Sequence, residues 1–447
     1  MGSDMVVAVG PATENRHTLF GTNCHGIPGA GIALRLNPGR AFALGESVQT
    51  QVLPLPQARQ TFTVLGNQPL NNWGYQHGIN EFEVVAAFSA WRSKLVCDQP
   101  GLTGTDVVRL VLERCRTARQ GFDLLTGLVS RHGQCRFTEG RGTNGEKPGT
   151  TGNDHIFLLA DPTEAYVVEA AGSAWASLEC RRVRAISDVG LIRQDWQRLS
   201  PGLAEEAITH GWWPDDGSKL DFHASLSVPS AGEESALRRW GRATLLLEEQ
   251  SGHIDTSVLR RLLADHYEET TSEVDPLAPR GTLSLCRHAS PGQVTATTAS
   301  FIAELGGGPE RPTMAWCAFG PPCVGIYLPL FLDGELPGAL GLAEDPLSPA
   351  RRFHQLQTVM GRDRERWTEV RHSLALLQAR LDQQTEEFCA EAAVFKRNGE
   401  HNILRRQAGF FMQNQLEQLD AELQRMSGQW SAVSSRLAMQ LTIAIDI

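Results

Sequence analysis

Short apolar runs separated by turn-rich segments dominate the first half of the chain, and they predict antiparallel strands. Residues 5–9 are apolar throughout, residues 11–15 are turn-rich, and residues 17–21 begin a returning strand, so a hairpin is predicted over residues 4–30. The turn Asp161-Pro162-Thr163-Glu164 lies between two further apolar runs and predicts a second hairpin. The predicted strands are residues 5–9, 17–21, 61–65, 83–88, 156–160 and 165–169.

Apolar residues at spacings of three and four predict helices between these strands and throughout the C-terminal region. Thr103 and Asp106 precede one such run as a capped helix start. Beyond Pro346 the apolar residues form a heptad seam. We interpret this seam as the face by which the C-terminal helices pack on the main domain, and the alternative is a coiled coil between two chains. The seam residues are Trp367, Val370, Leu374, Leu377 and Leu381. Further predicted helices are residues 121–132, 234–249, 256–267 and 404–426.

This mixture of strands and helices indicates an α+β fold. We predict a main domain over residues 3–345 and a helical extension over residues 346–430. At 447 residues, with 41% hydrophobic and 21% charged residues, the chain has the composition of a globular protein. Its net charge of −10 argues against nucleic acid or an anionic membrane as the partner.

Nine cysteines are scattered along the chain without a Cys-x-x-Cys pair, which indicates free thiols in a reducing, cytoplasmic compartment. The 13 histidines include no His-Glu-x-x-His. We therefore predict no metal and no cofactor, although ligands that are distant in sequence would escape this test.

A small hydroxyl residue near the N-terminus, Ser3, directly precedes the first strand. In N-terminal-nucleophile hydrolases, a Ser, Thr or Cys becomes residue one, and its own α-amine is the general base for its side chain. That amine has a pKa of about 7.7–8.0, so part of it is neutral near pH 7. Met1-Gly2-Ser3 is also typical of a cloning scar, and a replaced native cysteine is a third interpretation.

Five stretches, in order along residues 4 to about 330, carry a further pattern. The stretches are residues 4–13 with 19–23, residues 73–74 with 78–81, residues 157–162 with 164–169, residues 285–288 with 297–300, and residues 316, 321–323 and 327–329. They include Pro11-Ala12-Thr13 after the first strand and Gly78-Ile79-Asn80-Glu81. In this order they resemble the secernins, which belong to a dipeptidase family of N-terminal-nucleophile hydrolases, and residues 78–81 are close to that family's Gly-x-Asn-Glu.

The resemblance implies a four-layer αββα fold, with a C-terminal helical extension, and cleavage of an amide bond in a small peptide or acyl-amine. Ser3 aligns with the family's nucleophilic cysteine. Asn80 is the candidate for stabilising the oxyanion, with a capped turn as its alternative role, and Glu81 accompanies it at the substrate site.

The other candidate site residues are Asn23, His25 and Asp188. Asn23 would orient the substrate or the amine, unless it is an ordinary turn residue. His25 replaces a family aspartate and would serve as a base or lie exposed. Asp188 replaces an asparagine, so when ionised it only accepts hydrogen bonds and would hold an amine.

Two further positions have open interpretations. Cys24 is a second candidate nucleophile or a small buried hydrophobe. Arg287 and His288 are interpreted as structural, beside a helix that begins near Thr297.

Because the departures from the family pattern cluster at Ser3, His25 and Asp188, two functions remain open. One is a dipeptidase-type amide hydrolase without cofactor or metal. The other is a catalytically silent binding or scaffold protein whose helical tail makes the contacts. A homo-oligomer formed through the C-terminal helices is a further expectation.

Overall fold

Two antiparallel sheets packed face to face form the centre of the protein in this computed structural model. The structure describes residues 2–29, 32–95, 99–134, 154–230, 232–277, 283–289, 295–342, 345 and 348–445. The strands are β1 (Gly2–Ala8), β2 (Thr18–Gly26), β3 (Ile32–Asn37), β4 (Ser47–Gln49), β5 (Pro54–Pro56), β6 (Val64–Pro69), β7 (His77–Asn80), β8 (Val85–Trp91), β9 (Asp154–Ala160), β10 (Ala165–Ala171), β11 (Ala174–Cys180), β12 (Val183–Ile186), β13 (Arg198–Leu199), β14 (Ala296–Leu305), β15 (Met314–Phe319) and β16 (Leu328–Phe331).

Helices cover the outer faces of both sheets and form the C-terminal region. The α-helices of the described residues are α1 (Gly104–Arg114), α2 (Ala118–His132), α3 (Leu203–Thr209), α4 (Phe222–Leu226), α5 (Glu233–Glu249), α6 (Thr256–Leu263), α7 (Pro349–Met360), α8 (Arg364–Arg397) and α9 (His401–Ile445). The predicted start of α1 is confirmed, since Thr103 and Asp106 form a capping box around it.

Among the described residues the strands form a six-stranded sheet, an eight-stranded sheet and a separate β4–β5 pair. The first has the order β12-β1-β2-β14-β15-β16, and the second has the order β13-β11-β10-β9-β8-β7-β6-β3. Helices α5 and α6 pack against β12, β1, β2 and β14, whereas α1 and α2 pack against the eight-stranded sheet. The predicted α+β class and four-layer αββα arrangement are therefore confirmed.

The apolar run after Ser3 forms an inner strand, as predicted, because apolar residues on both faces of a strand need cover on both sides. β1 pairs with β12 on one side and with β2 on the other. Every residue of β1 from Ser3 to Ala8 is buried. This buried strand brings the N-terminus of the described chain between the two sheets, next to β8.

The helix predicted near Thr297 is wrong, because residues 296–305 form β14. This strand pairs with β2 and β15 in the middle of the six-stranded sheet. Its β-branched and aromatic residues suit a pleated surface buried on both faces. The strand predicted over residues 61–65 is shifted, since β6 begins at Val64.

The heptad seam of helix α8 belongs to the same buried apolar core as the strands of the six-stranded sheet. All five seam residues, Trp367 to Leu381, are buried. Gln378 also accepts a hydrogen bond from the Tyr327 backbone N–H at 2.7 Å and donates one to its carbonyl at 3.2 Å. Among the described residues, no helix is both long and apolar enough to cross a membrane.

Candidate active site

Ser3 lies between the two sheets, on the inner face of β1. It is paired in register with Cys24 of β2, and it is only 1% exposed. Successive side chains of a strand point to opposite faces. The next residue, Asp4, therefore points away from the space between the sheets, toward α5.

The backbone nitrogen of Ser3 is held by two side chains from distant parts of the chain. It donates to the Asp188 carboxylate, with Oδ1 at 3.0 Å, and to the Ser89 hydroxyl, with Oγ at 3.1 Å. Ser89 donates in turn to the same Asp188 oxygen at 2.7 Å. A Cβ atom at residue 2 would overlap this carboxylate, so a larger residue before Ser3 would displace Asp188 from the Ser3 nitrogen.

A side-chain amide faces the Ser3 hydroxyl. Gln76, which directly precedes β7, donates from Nε2 to Ser3 Oγ at 3.3 Å and is 4% exposed. The arrangement thus places a neutral N–H donor within reach of any oxyanion that forms beside Ser3 Oγ.

Two arginines hold the second oxygen of Asp188. Arg239 Nη2 and Arg287 Nη2 lie 3.0 Å and 2.9 Å from Asp188 Oδ2. Burial alone would raise the pKa of Asp188, but Arg287 and Arg239 hold that pKa below its ordinary value. Asp188 is therefore an ionised acceptor at neutral pH, and its side chain is 25% exposed.

Asp4 continues this charged cluster on the helix side of β1. It accepts from Arg239 Nε at 3.0 Å, from Ser187 Oγ at 2.6 Å, and lies 2.9 Å from His25 Nε2. Burial opposes ionisation of Asp4, yet Arg239 and His25 hold its pKa well below the usual range. Burial, and next the charge of Arg287, lower the pKa of His25 to about 4, so its ring is neutral at pH 7.

The structure brings some of the predicted site residues together and separates others. Asp188 contacts Ser3 directly, whereas His25 contacts Asp4 on the opposite face of the sheet. Asn23 lies on that same outer face, where its amide donates to the carbonyls of Leu263 and Leu285 at 2.8 Å and 3.0 Å. Neither Asn23 nor His25 reaches the space between the sheets, since strand parity fixes their side chains outward.

Asn80 and Glu81 form structural contacts away from Ser3. The Asn80 amide donates to the backbone carbonyls of Leu112 in α1 and of Cys115 directly after that helix, at 2.9 Å and 2.7 Å. Glu81 is exposed and accepts from the Thr63 backbone N–H at 2.7 Å. The expectation that Asn80 faces the nucleophile is therefore corrected, and the capped turn is what the structure shows.

Of the two interpretations of Cys24, a second nucleophile or a small buried residue, the structure favours the buried residue. It is 0% exposed, and its Sγ lies 3.0 Å from Nδ1 of His77. Burial raises the pKa of the Cys24 thiol to about 12 and lowers the pKa of His77 to about 3. Both groups are neutral at pH 7, and the thiolate needed for nucleophilic attack is disfavoured.

Sequence reasoning missed the contacts of Gln76 and Ser89 with Ser3, and the contact of Arg239 with Asp188. One signal was present for the arginine, because Arg239 shares a helical stripe of α5 with the buried residues Ala236, Ala243 and Leu247. A charged residue on an apolar stripe needs a buried partner. No comparable pattern marks Gln76 or Ser89, and Arg287 was interpreted as purely structural.

No known family profile matches this chain. Its similarity to three solved structures is low. It is 14% identical to penicillin V acylase from Agrobacterium tumefaciens, over 73% of this chain and 86% of that one, with a TM-score of 0.39. A mutant conjugated bile acid hydrolase from Clostridium perfringens is 12% identical over 71% and 89%, with a TM-score of 0.39. A Caenorhabditis elegans ortholog of N-acylethanolamine-hydrolyzing acid amidase is 8% identical over 67% and 92%, with a TM-score of 0.31. These values assign no activity to this chain.

Proposed function

We propose that this protein is an amide-bond hydrolase whose nucleophile is the hydroxyl of Ser3, once Met1 and Gly2 have been removed. The observation that carries the proposal is the position of the Ser3 nitrogen, 3.0 Å from Asp188 Oδ1 and 3.1 Å from Ser89 Oγ. After removal of Gly2 this nitrogen is an amine, and the same two acceptors would fix its orientation beside its own hydroxyl.

In the proposed reaction, Ser3 Oγ attacks the carbonyl carbon of the substrate while its proton passes to the α-amine. The C–N bond then breaks, and the departing amine takes that proton. Water cleaves the resulting Ser3 ester and releases the acid. Gln76 Nε2 is the donor placed to stabilise the oxyanion, because ionised Asp188 has no proton to donate.

The substrate class we propose is a short peptide or an acyl-amine. Support comes from the sequence resemblance to secernin-type dipeptidases, which extends along residues 4 to about 330. The arginine pair and the two carboxylates balance in charge, and His25 is neutral, so the cluster adds no net charge to the site.

A catalytically silent binding protein is the second candidate, and one observation favours it. With Gly2 in place, the Ser3 nitrogen is a peptide amide without basicity, and Ser3 is 1% exposed. In that case, the charged cluster around Asp4 and Asp188 serves only to join β1, α5 and the segment before β14.

The test compares three proteins: one that begins at Gly2, one that begins at Ser3 after release from an N-terminal fusion, and the latter with Ser3→Ala. Each is incubated with a panel of dipeptides and N-acyl amines, and products are measured by mass spectrometry. We expect turnover only by the protein that begins at Ser3, at least ~10²-fold above the others, since general-base catalysis contributes about 10²–10⁴-fold.

Equal turnover by the Gly2-initiated protein would contradict this mechanism. If the Ser3-initiated protein shows no turnover, a fourth protein with Ser3→Cys is assayed in the same way, and absence of turnover by both would favour the silent binding protein. Intact mass of the untagged protein from its own host then shows whether Gly2 is removed in the cell.

A further inference from the structure

Two histidines and two cysteines meet at one point outside the candidate active site. His266 follows α6, Cys286 and His288 lie in the segment before β14, and Cys323 belongs to the short 3-10 helix Pro322–Val324. Among the described residues, this group brings four potential metal-ligand atoms within 4.8 Å of one another. Three of the residues are buried, and Cys323 is partly exposed.

Three of the six separations among these atoms, all measured from Nε2 of His288, are close to those of a tetrahedral zinc site. Zn–N and Zn–S bonds of about 2.05 Å and 2.3 Å at the tetrahedral angle place N and N about 3.3 Å apart, and N and S about 3.6 Å apart. Nε2 of His288 lies 3.1 Å from Nε2 of His266, 3.6 Å from Sγ of Cys286 and 3.2 Å from Sγ of Cys323.

Hydrogen bonds among the four residues do not account for this arrangement. A neutral imidazole nitrogen carries either one proton or one lone pair, so it makes one good hydrogen bond. Nε2 of His288 instead faces three ligand atoms at once. One cation at the common centre would satisfy all four atoms together.

We propose that His266, Cys286, His288 and Cys323 bind one structural Zn²⁺ ion. Two thiolates and two imidazoles in tetrahedral array are a ligand set that zinc prefers. A two-iron cluster with the same residue types would hold its cysteines and histidines on different irons. Here a histidine nitrogen lies 3.2 Å from a cysteine sulfur, which fits a single ion.

A carboxylate that contacts one of the proposed ligands, His266, supports the assignment. Glu268 Oε1 lies 3.1 Å from Nδ1 of His266, the ring nitrogen that faces away from the cluster. Oε2 of the same carboxylate accepts from the His266 backbone N–H at 2.6 Å. Metal-binding histidines commonly donate their second N–H to a carboxylate, which fixes the ring orientation.

The ion would join three segments that are separate in sequence, and one of them contributes to the candidate active site. Arg287 lies between the ligands Cys286 and His288, and its guanidinium contacts Asp188 at 2.9 Å. With four protein ligands the site is closed, so zinc holds this segment in place and takes no part in the chemistry. The inference is independent of the proposed hydrolysis.

Motif spacing could not find this site. The ligands lie on a loop, a strand-preceding segment and a 3-10 helix, and only Cys286 and His288 are close in sequence. We predicted no metal because the sequence contains no compact ligand motif. That test does not detect ligands that are distant in sequence and are brought together by the fold.

The test measures metal in protein purified under reducing conditions without added metal, by inductively coupled plasma mass spectrometry. We expect about one zinc per chain in the wild type, and a loss of at least ~10-fold in Cys286→Ser and Cys323→Ser, because thiolate ligands are removed. Cys317→Ser is the matched control, since Cys317 is equally buried, on β15, and outside the cluster. It should retain the zinc.

A second measurement keeps the proposal testable if a variant fails to fold. Wild-type protein is stripped with a chelator and loaded with Co²⁺, whose tetrahedral thiolate site gives intense visible bands and a thiolate charge-transfer band. These bands should appear at one equivalent and vanish when Zn²⁺ is added. Wild-type protein that binds neither ion, or that contains a Cys286–Cys323 disulfide after reducing purification, would overturn the proposal.

Discussion

At the scale of single residues, Arg239 of α5 forms two ion pairs that link β1 to the segment after β12. It is 2% exposed and pairs with two carboxylates, those of Asp4 and Asp188. Arg239→Leu leaves buried Asp4 without its main cation and removes one of the two arginines that hold Asp188, and breaking a buried ion pair in this way costs about 3–5 kcal/mol. We expect that loss in the free energy of unfolding, measured in urea.

The matched control for this variant is Arg261→Leu, because Arg261 is exposed. Exposed substitutions usually change stability by less than about 0.5 kcal/mol. Equal effects of the two variants would show that the Asp4–Arg239–Asp188 cluster contributes little to the fold.

A second residue-scale prediction concerns Glu169 of β10, which is buried and accepts from the backbone N–H groups of Leu191 and Ile192. Burial raises its pKa from 4.5 to about 7. The folded state thus keeps a proton that the unfolded state loses above about pH 4.5, so the contribution of Glu169 to stability is present at low pH and disappears as pH rises through 7.

The quantity to measure is the free energy of unfolding of the wild type minus that of Glu169→Gln. We expect this difference to fall by roughly 2–3 kcal/mol between about pH 5 and pH 8. Urea titrations at several pH values measure this difference. A difference that is constant, or that grows with pH, would contradict the assigned pKa direction.

At the scale of elements, the seam of α8 provides a matched pair two residues apart. Leu374 is 2% exposed, whereas Leu376 is 63% exposed. Leu374→Ala should cost about 2–5 kcal/mol, because it removes buried methyl groups and leaves a cavity. Leu376→Ala should cost less than about 0.5 kcal/mol.

Thermal or urea unfolding of both variants measures this contrast. Unchanged stability in Leu374→Ala, together with loss of self-association, would instead support the coiled coil between chains.

At the scale of the whole molecule, the C-terminal helices share one core with the sheets. Phe331 of β16, Phe388 of α8 and Phe411 of α9 form an aromatic cluster with ring centroids 4.5–5.9 Å apart. Because residues of β16, α8 and α9 pack in this one cluster, the helices should not unfold separately from the main domain. We expect one calorimetric transition, with equal calorimetric and van't Hoff enthalpies.

Tryptophan fluorescence and far-ultraviolet circular dichroism should report the same midpoint. Two separated transitions would show that residues 346–430 form an independent unit.

The sequence by itself determined the elements whose signals lie within a few residues. The apolar run after Ser3 predicted β1, the cap at Thr103 predicted the start of α1, and the spacing from Trp367 to Leu381 predicted the buried stripe of α8. Periodicity and capping act within one or two turns, so they are recorded locally in the chain. The helix predicted near Thr297 is instead strand β14, because its threonine, phenylalanine and isoleucine residues suit the middle of a sheet when tertiary contacts cover both faces.

Only the tertiary structure decided which side chains meet. Ser3 and Asp188 are separated by 185 residues, and they touch because β12 pairs with β1 and ends beside its first residues. The alternation of side chains along β2 directs Asn23 and His25 to the outer face of the sheet. The amide of Asn80 donates to a carbonyl of α1, because that helix packs against β7. The meeting of His266, Cys286, His288 and Cys323 has the same origin, since contacts between distant segments depend on sheet order and register, which no local pattern records.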